Sequence, residues 1–112
     1  MTNELLRDRY REAVLAWERA QGQPRQANRL FDQLQQLFKE MRQSEEGRAV
    51  ITSLVNDAVP VVRLSAASHS LSWRPELAEP VLEELSQEPG LHSVSAAWTL
   101  RSHRAGTLDQ DW

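Results

Sequence analysis

The chain has 112 residues, 40% of them apolar and 26% charged, the balance of one ordinary globular domain and not of a disordered or fibrous chain. It contains no cysteine, which excludes disulfides, thiolate metal sites and cysteine nucleophiles. The formal net charge is −3, with eight Lys/Arg against six Asp/Glu in residues 1–43 and five against ten in residues 44–112. The acidic part repels a nucleic-acid backbone and suits a basic partner. Neither a leader-like apolar segment nor a bilayer-length apolar run occurs, so a cytoplasmic protein is expected.

From Asn3 to Gln21 the apolar residues Leu5, Leu6, Tyr10, Ala13, Val14 and Trp17 recur three and four apart, which predicts a first helix with one buried stripe, stopped by Gly22. Pro24 suits the first turn of a second helix along Ala27, Leu30, Phe31, Leu34, Leu37, Phe38 and Met41. A short connection between two long helices predicts an antiparallel hairpin. Ser44 is a good N-cap for a third helix that buries Val50, Ile51, Leu54 and Val55 and ends at Asn56 and Asp57. Pro60 opens a fourth through Val61, Val62, Leu64, Ala66, Ala67 and Leu71, and Trp73-Arg74-Pro75 breaks it.

The fifth helix turns Leu77, Val81, Leu82 and Leu85 inward, and Pro80 costs least if the regular helix starts near it. After Pro89-Gly90 a sixth helix runs from Leu91 to Arg104, with Leu91, Val94, Ala97 and Trp98 on its predicted inner stripe and Gly106 as its stop. The period-two alternation of a strand is absent over any useful length. The expected class is therefore all-α, with six helices in residues 1–106. Residues 1–43 form an N-terminal capping hairpin, and 107–112 are expected as a loose polar tail ending at Trp112.

Residues 61–68 (Val-Val-Arg-Leu-Ser-Ala-Ala-Ser) align over 91–98 (Leu-His-Ser-Val-Ser-Ala-Ala-Trp) with Leu64/Val94, Ser65/Ser95, Ala66/Ala96 and Ala67/Ala97 in register. The period is 30 residues, and each unit reads as a helix, a proline break and a helix carrying small residues. Such units bury their apolar faces only by stacking, which predicts a short stack of antiparallel helix hairpins across 44–106.

The segments Pro60-Val61-Val62-Arg63-Leu64-Ser65-Ala66-Ala67 and Arg74-Pro75-Glu76-Leu77-Ala78-Glu79-Pro80-Val81-Leu82 resemble HEAT-like repeats. With Ala27-Asn28-Arg29-Leu30-Phe31-Asp32 and Ser95-Ala96-Ala97-Trp98-Thr99-Leu100, the whole chain is similar to a family of small bacterial HEAT-like proteins of unassigned function. The resemblance implies an α-α superhelical stack and no reaction. Small acidic proteins of this kind often stand beside toxins of bacterial competition systems, so it implies an immunity protein as one reading. The repeats are too few for the extended concave groove of long arrays.

Histidine is the residue type with obvious metal or catalytic potential. His92 and His103 lie eleven residues apart, about 16 Å along a helix, too far to share one ion, and His69 stands alone. The spacing that marks a metal-ligand motif is missing, so no cofactor is expected. Gly22, Gly47, Gly90 and Gly106 are isolated at helix boundaries, where turns and caps explain them better than a phosphate loop. Arg63, just inside a helix N-terminus, opposes the helix dipole and calls for a carboxylate such as Asp57 or Asp32.

Glu76, Glu79 and Glu83 share one face of the fifth helix, and Trp73 sits in the loop before it. A charged rim beside an aromatic anchor is a plausible contact surface for a basic protein. The bland alternatives are a solvated helix face and a tryptophan folded over the repeat junction. The leading function is thus a non-catalytic protein-binding module, in its sharpest form an immunity protein facing a basic toxin domain. A second reading, nucleic-acid association through Arg7, Arg11, Arg25, Arg29 and Arg42, is opposed by the acidic remainder. A small hydrolase or metal enzyme would need a constellation that this sequence lacks.

Overall fold

Proline opens three of the helices. In the computed structural model, which describes residues 3–108 and 110, these residues form α1 (Asn3–Arg19), α2 (Pro24–Met41), α3 (Glu45–Ser53), α4 (Pro60–Ser70), α5 (Pro75–Gln87) and α6 (Leu91–Arg104). A 3-10 turn, Leu54–Asn56, prolongs α3. Pro24, Pro60 and Pro75 supply a preset φ where no N–H is needed. The residues before them, Gln23, Val59 and Arg74, all leave the helical region, as the proline ring requires. Ser44 caps α3 by accepting the Gly47 N–H at 3.0 Å. The chain is all-α, with no strand among the described residues.

The fifth helix is longer than the sequence suggests. It starts at Pro75, and Pro80 lies inside it. Pro80 is exposed, so its ring meets solvent, but the Glu76 carbonyl loses its intrahelical donor and is crowded by the ring. Pro80→Ala is therefore expected to stabilise the fold by about 1–2 kcal/mol, the helical gain exceeding the extra unfolded-state entropy. A urea midpoint that stays put or falls would contradict this account of α5.

Helix α4 sits at the centre, packed against α1, α3, α5 and α6. Its buried residues Val61, Val62, Leu64, Ala66, Ala67 and His69 surround most of its circumference, which is the pattern of an interior helix. Ala66, Ala67, Ala78 and Ala96 are wholly buried, so α4, α5 and α6 approach closely. The pairs α1/α2, α4/α5 and α5/α6 each pack across a short connection, giving antiparallel hairpins. A Cα radius of gyration of 13.2 Å is that of a compact domain of this length, about 13 Å.

Gly47 is more than a boundary residue. It is buried, and a Cβ there would run into the Met41 backbone carbonyl, so its lack of a side chain is what lets α3 fold back onto the end of α2. Gly90 (φ 121°) and Gly106 (φ 74°) do serve as turns. At Gly106 the N–H of Thr107 reaches the Ser102 carbonyl at 2.9 Å and the N–H of Gly106 reaches His103 at 3.1 Å, a Schellman closure of α6.

That closure turns the chain back over the fold, and of the expected loose tail the described residues Leu108 and Gln110 are held against it. Leu108 packs partly against the core, and Gln110 Nε2 donates to the Ser68 carbonyl at 2.5 Å. Trp112 lies outside the described residues. The predicted inner stripes need correction at four positions: Leu5 and Leu77 are exposed, and on α6 Val94 and Trp98 are 73% and 59% exposed. The buried side of α6 is instead Ala96, Thr99, Leu100 and Ser102.

Candidate functional site

The exposed side of α6 faces a cleft of about 420 Å³ that the N-terminal hairpin closes from the opposite side with Trp17 and Phe31. Its origin lies in the repeat. Ser65 and His69 of α4 correspond, 30 residues on, to Ser95 and Thr99 of α6. On α4 these positions meet α1: the Tyr10 hydroxyl lies 2.8 Å from Ser65 Oγ and 2.7 Å from His69 Nδ1. On α6 they line the open cleft. Val94 and Trp98 stand beside them at its edge, and Leu108 and Gln110 fold in from the chain's return.

The floor is a buried polar chain. His69 Nε2 lies 3.2 Å from Gln35 Oε1, and because that oxygen can only accept, Nε2 carries the proton and Nδ1 accepts from Tyr10. Tyr10 in turn accepts from Ser65, and Gln35 Nε2 donates to the Gln110 carbonyl at 3.5 Å. Phe38 stacks on the imidazole at 3.9 Å with the planes 7° apart. With both ring nitrogens engaged, His69 is a neutral structural histidine. Burial, assisted by Arg42, lowers its pKa to about 3, and burial raises that of Tyr10 despite the bond to Ser65.

A histidine whose folded pKa is depressed destabilises on acidification, because the unfolded chain takes up a proton that the native state refuses. Stability should fall as pH drops through the ordinary histidine value of 6.5 toward about 3. Between pH 7 and 5, above the carboxylate range, the loss is expected at about 2 kcal/mol. His69→Gln should be less stable at pH 7 yet flatter across this window. Equal losses of unfolding free energy between pH 7 and 5 for the wild type and His69→Gln would contradict a buried neutral His69.

The acidic face predicted from sequence is largely neutralised by its neighbours. Glu76 pairs with Arg74 at 2.5 Å, and Arg104 of α6 pairs with Glu79 at 3.4 Å and also with Glu83. The Glu76 carboxyl is held below its ordinary range by its own backbone N–H and then by Arg74. Trp73 is half-buried, donates from Nε1 to Thr52 Oγ1 at 2.9 Å and stacks near Phe38, which places it over the repeat junction. The four residues thus run from the loop before α5 past its middle without forming a free charged rim around an aromatic anchor.

The arginines divide similarly. Arg11 is bound by Asp57 at 3.0 Å, and Arg42 lies over the Phe38 ring at 5.2 Å, while Arg7, Arg25 and Arg29 are exposed. Burial raises the pKa of Asp57, but hydrogen bonds from Arg11 and the Val59 N–H outweigh it and leave the carboxyl below its ordinary range. Since Arg11 occupies that carboxylate, Arg63 donates instead to the backbone carbonyls of Asp57 and Ala58 at 2.9 and 3.3 Å and approaches Glu88 at 3.9 Å. Among the described residues no cluster of three or more His, Asp or Glu is placed to hold a metal ion. Nor is any described helix long and apolar enough to cross a membrane.

A crystal structure of the protein RPA1889 from Rhodopseudomonas palustris CGA009 superposes with a TM-score of 0.86 over 97% of this chain and 93% of that one, at 24% identity. The two share a fold. No protein-family model matches the chain, and no curated protein matches it.

The sequence did contain a signal for the cleft. Extending the 30-residue register past Ala66/Ala96 pairs His69 with Thr99 and Ser70 with Leu100, all buried. That register pairs Trp98 with half-buried Ser68 and so turns it off the core, but it pairs Val94 with buried Leu64, so the exposure of Val94 was not legible in it.

Proposed function

We propose that the chain is a non-catalytic, cytoplasmic binding module that takes another protein on the exposed, cleft-facing side of α6, centred on Trp98 and Val94. The observation that carries this reading is their exposure, 59% and 73%, at the end of a repeat stack. A solvent-exposed helix face is ordinarily dominated by polar side chains. A large aromatic beside a β-branched side chain at the mouth of a cleft is instead the composition of an interface anchor. The net charge of −3 favours a basic partner by long-range attraction, and neutralisation of a basic toxin domain is the sharpest form of the proposal. The paired state of Glu76, Glu79 and Glu83 makes α5 the weaker candidate surface.

The test is affinity purification from the source organism of tagged wild-type protein beside two variants. One carries Trp98→Glu with Val94→Glu, and the other carries Glu76→Gln, Glu79→Gln and Glu83→Gln. A stoichiometric protein retained by the wild type and the glutamine variant but lost by the α6 variant is the expected result. Equal retention by the α6 variant, or no partner at all, overturns the proposal.

A further inference from the structure

We infer that the cleft between the N-terminal hairpin and the α4/α6 pair is a ligand site for a small uncharged amphipath, an apolar body carrying one hydroxyl or amide group. The volume, about 420 Å³, lies within the roughly 300–1,000 Å³ of small-molecule sites. The side chains that line it decide the chemistry. A quarter of the chain is charged, yet among the described residues no Lys, Arg, Asp or Glu lines this cleft, and its histidine is held neutral within the Tyr10 and Gln35 hydrogen bonds.

Trp17, Phe31, Val94 and Trp98 provide apolar walls, Ser65 and Thr99 place short hydroxyls along the base, and exposed Ser95 places one on the wall. A carboxylate or ammonium group entering here would lose hydration and meet no counter-charge among the described lining residues, a penalty of several kcal/mol. A neutral hydroxyl would exchange water for serine or threonine oxygens, at little net cost. Charge matching therefore selects a neutral ligand. The site does not depend on the protein partner proposed above, and purified chain alone tests it.

The experiment titrates purified protein with 1-decanol and with decanoate at pH 8, following the Val94 methyl and Trp98 indole resonances. The alcohol should bind saturably, one per chain, at least tenfold more tightly than the carboxylate, with shifts at Val94, Trp98 and Leu108 and none along the outer face of α5. Ser95 is exposed at the cleft wall, so Ser95→Trp should fill the opening without disturbing the core and weaken decanol binding at least tenfold. If that variant misfolds, the resonance map of the wild type decides alone.

Equal or tighter binding of decanoate overturns the inference, as does decanol binding that leaves those three residues unshifted. So does a concentration-dependent dimer that Ser95→Trp abolishes, because the occupant is then a second copy. Binding that tightens more than tenfold in Trp112→Ala would make the chain's own last residue the occupant, with the same consequence.

Discussion

Gly47→Ala is expected to destabilise the protein by about 3 kcal/mol or more, the reverse of the gain of nearly 1 kcal/mol that alanine usually brings inside a helix. The added methyl would collide with the Met41 carbonyl, which is backbone and cannot rotate away. Relief requires α3 to lift from the end of α2, and that movement would expose Val50 and Ile51, both buried in the core. Gly22→Ala is the matched control, because a Cβ there meets nothing within 4 Å. Urea denaturation of the two variants should give a large fall in midpoint for Gly47→Ala and a change of under about 1 kcal/mol for Gly22→Ala. Similar midpoints would show that α2 and α3 do not meet this closely.

Ala67→Glu is expected to leave the chain unfolded, or less stable by more than about 4 kcal/mol. Ala67 is wholly buried on α4, the helix on which α1, α3, α5 and α6 converge. A glutamate there must either ionise without a counter-charge or displace packed neighbours, and both routes cost several kcal/mol. On the same reasoning Ala49→Glu, on the exposed side of α3, should lie within about 0.5 kcal/mol of the wild type. The helical circular dichroism signal should collapse for the first and persist for the second. A folded Ala67→Glu protein of near-normal stability would remove α4 from the centre of the fold.

Fold class and helix order were readable because the local signals are strong. Proline at the first position of α2, α4 and α5, serine before α3 and glycine around α6 each act through backbone geometry alone, independent of tertiary context. The buried faces of α2 and α4 were readable for a different reason. Long periodic runs such as Leu34, Leu37, Phe38 and Met41 admit one inward orientation.

Helix α6 offers no such run. Its residues Val94, Ala96, Trp98 and Leu100 spread around the helix, so two stripes are available and the more apolar one points outward. Apolar periodicity reports what could be buried, and only the presence of a neighbouring helix decides what is. On α4 that neighbour is α1; on α6 the equivalent position is the open cleft.

The same distinction governs the candidate sites. Glu76, Glu79 and Glu83 were correctly read as sharing a helix face, but the cation that answers two of them, Arg104, lies on α6 and is paired by folding, not by sequence proximity. Trp73 was placed correctly in a loop, yet its hydrogen bond to Thr52 crosses 21 positions. The network joining Tyr10, Ser65, His69 and Gln35 spans α1, α2 and α4. No spacing rule within one helix could have assembled it.

Contact through α6, not α5, is tested most directly by hydroxyl-radical footprinting of the chain alone and bound to its copurified partner. Trp98 and Val94 should lose reactivity on binding, while the α5 residues Glu76, Leu77 and Glu83 keep theirs. Protection of α5 with Trp98 as reactive as in the free chain would contradict the account and return the contact to the acidic face.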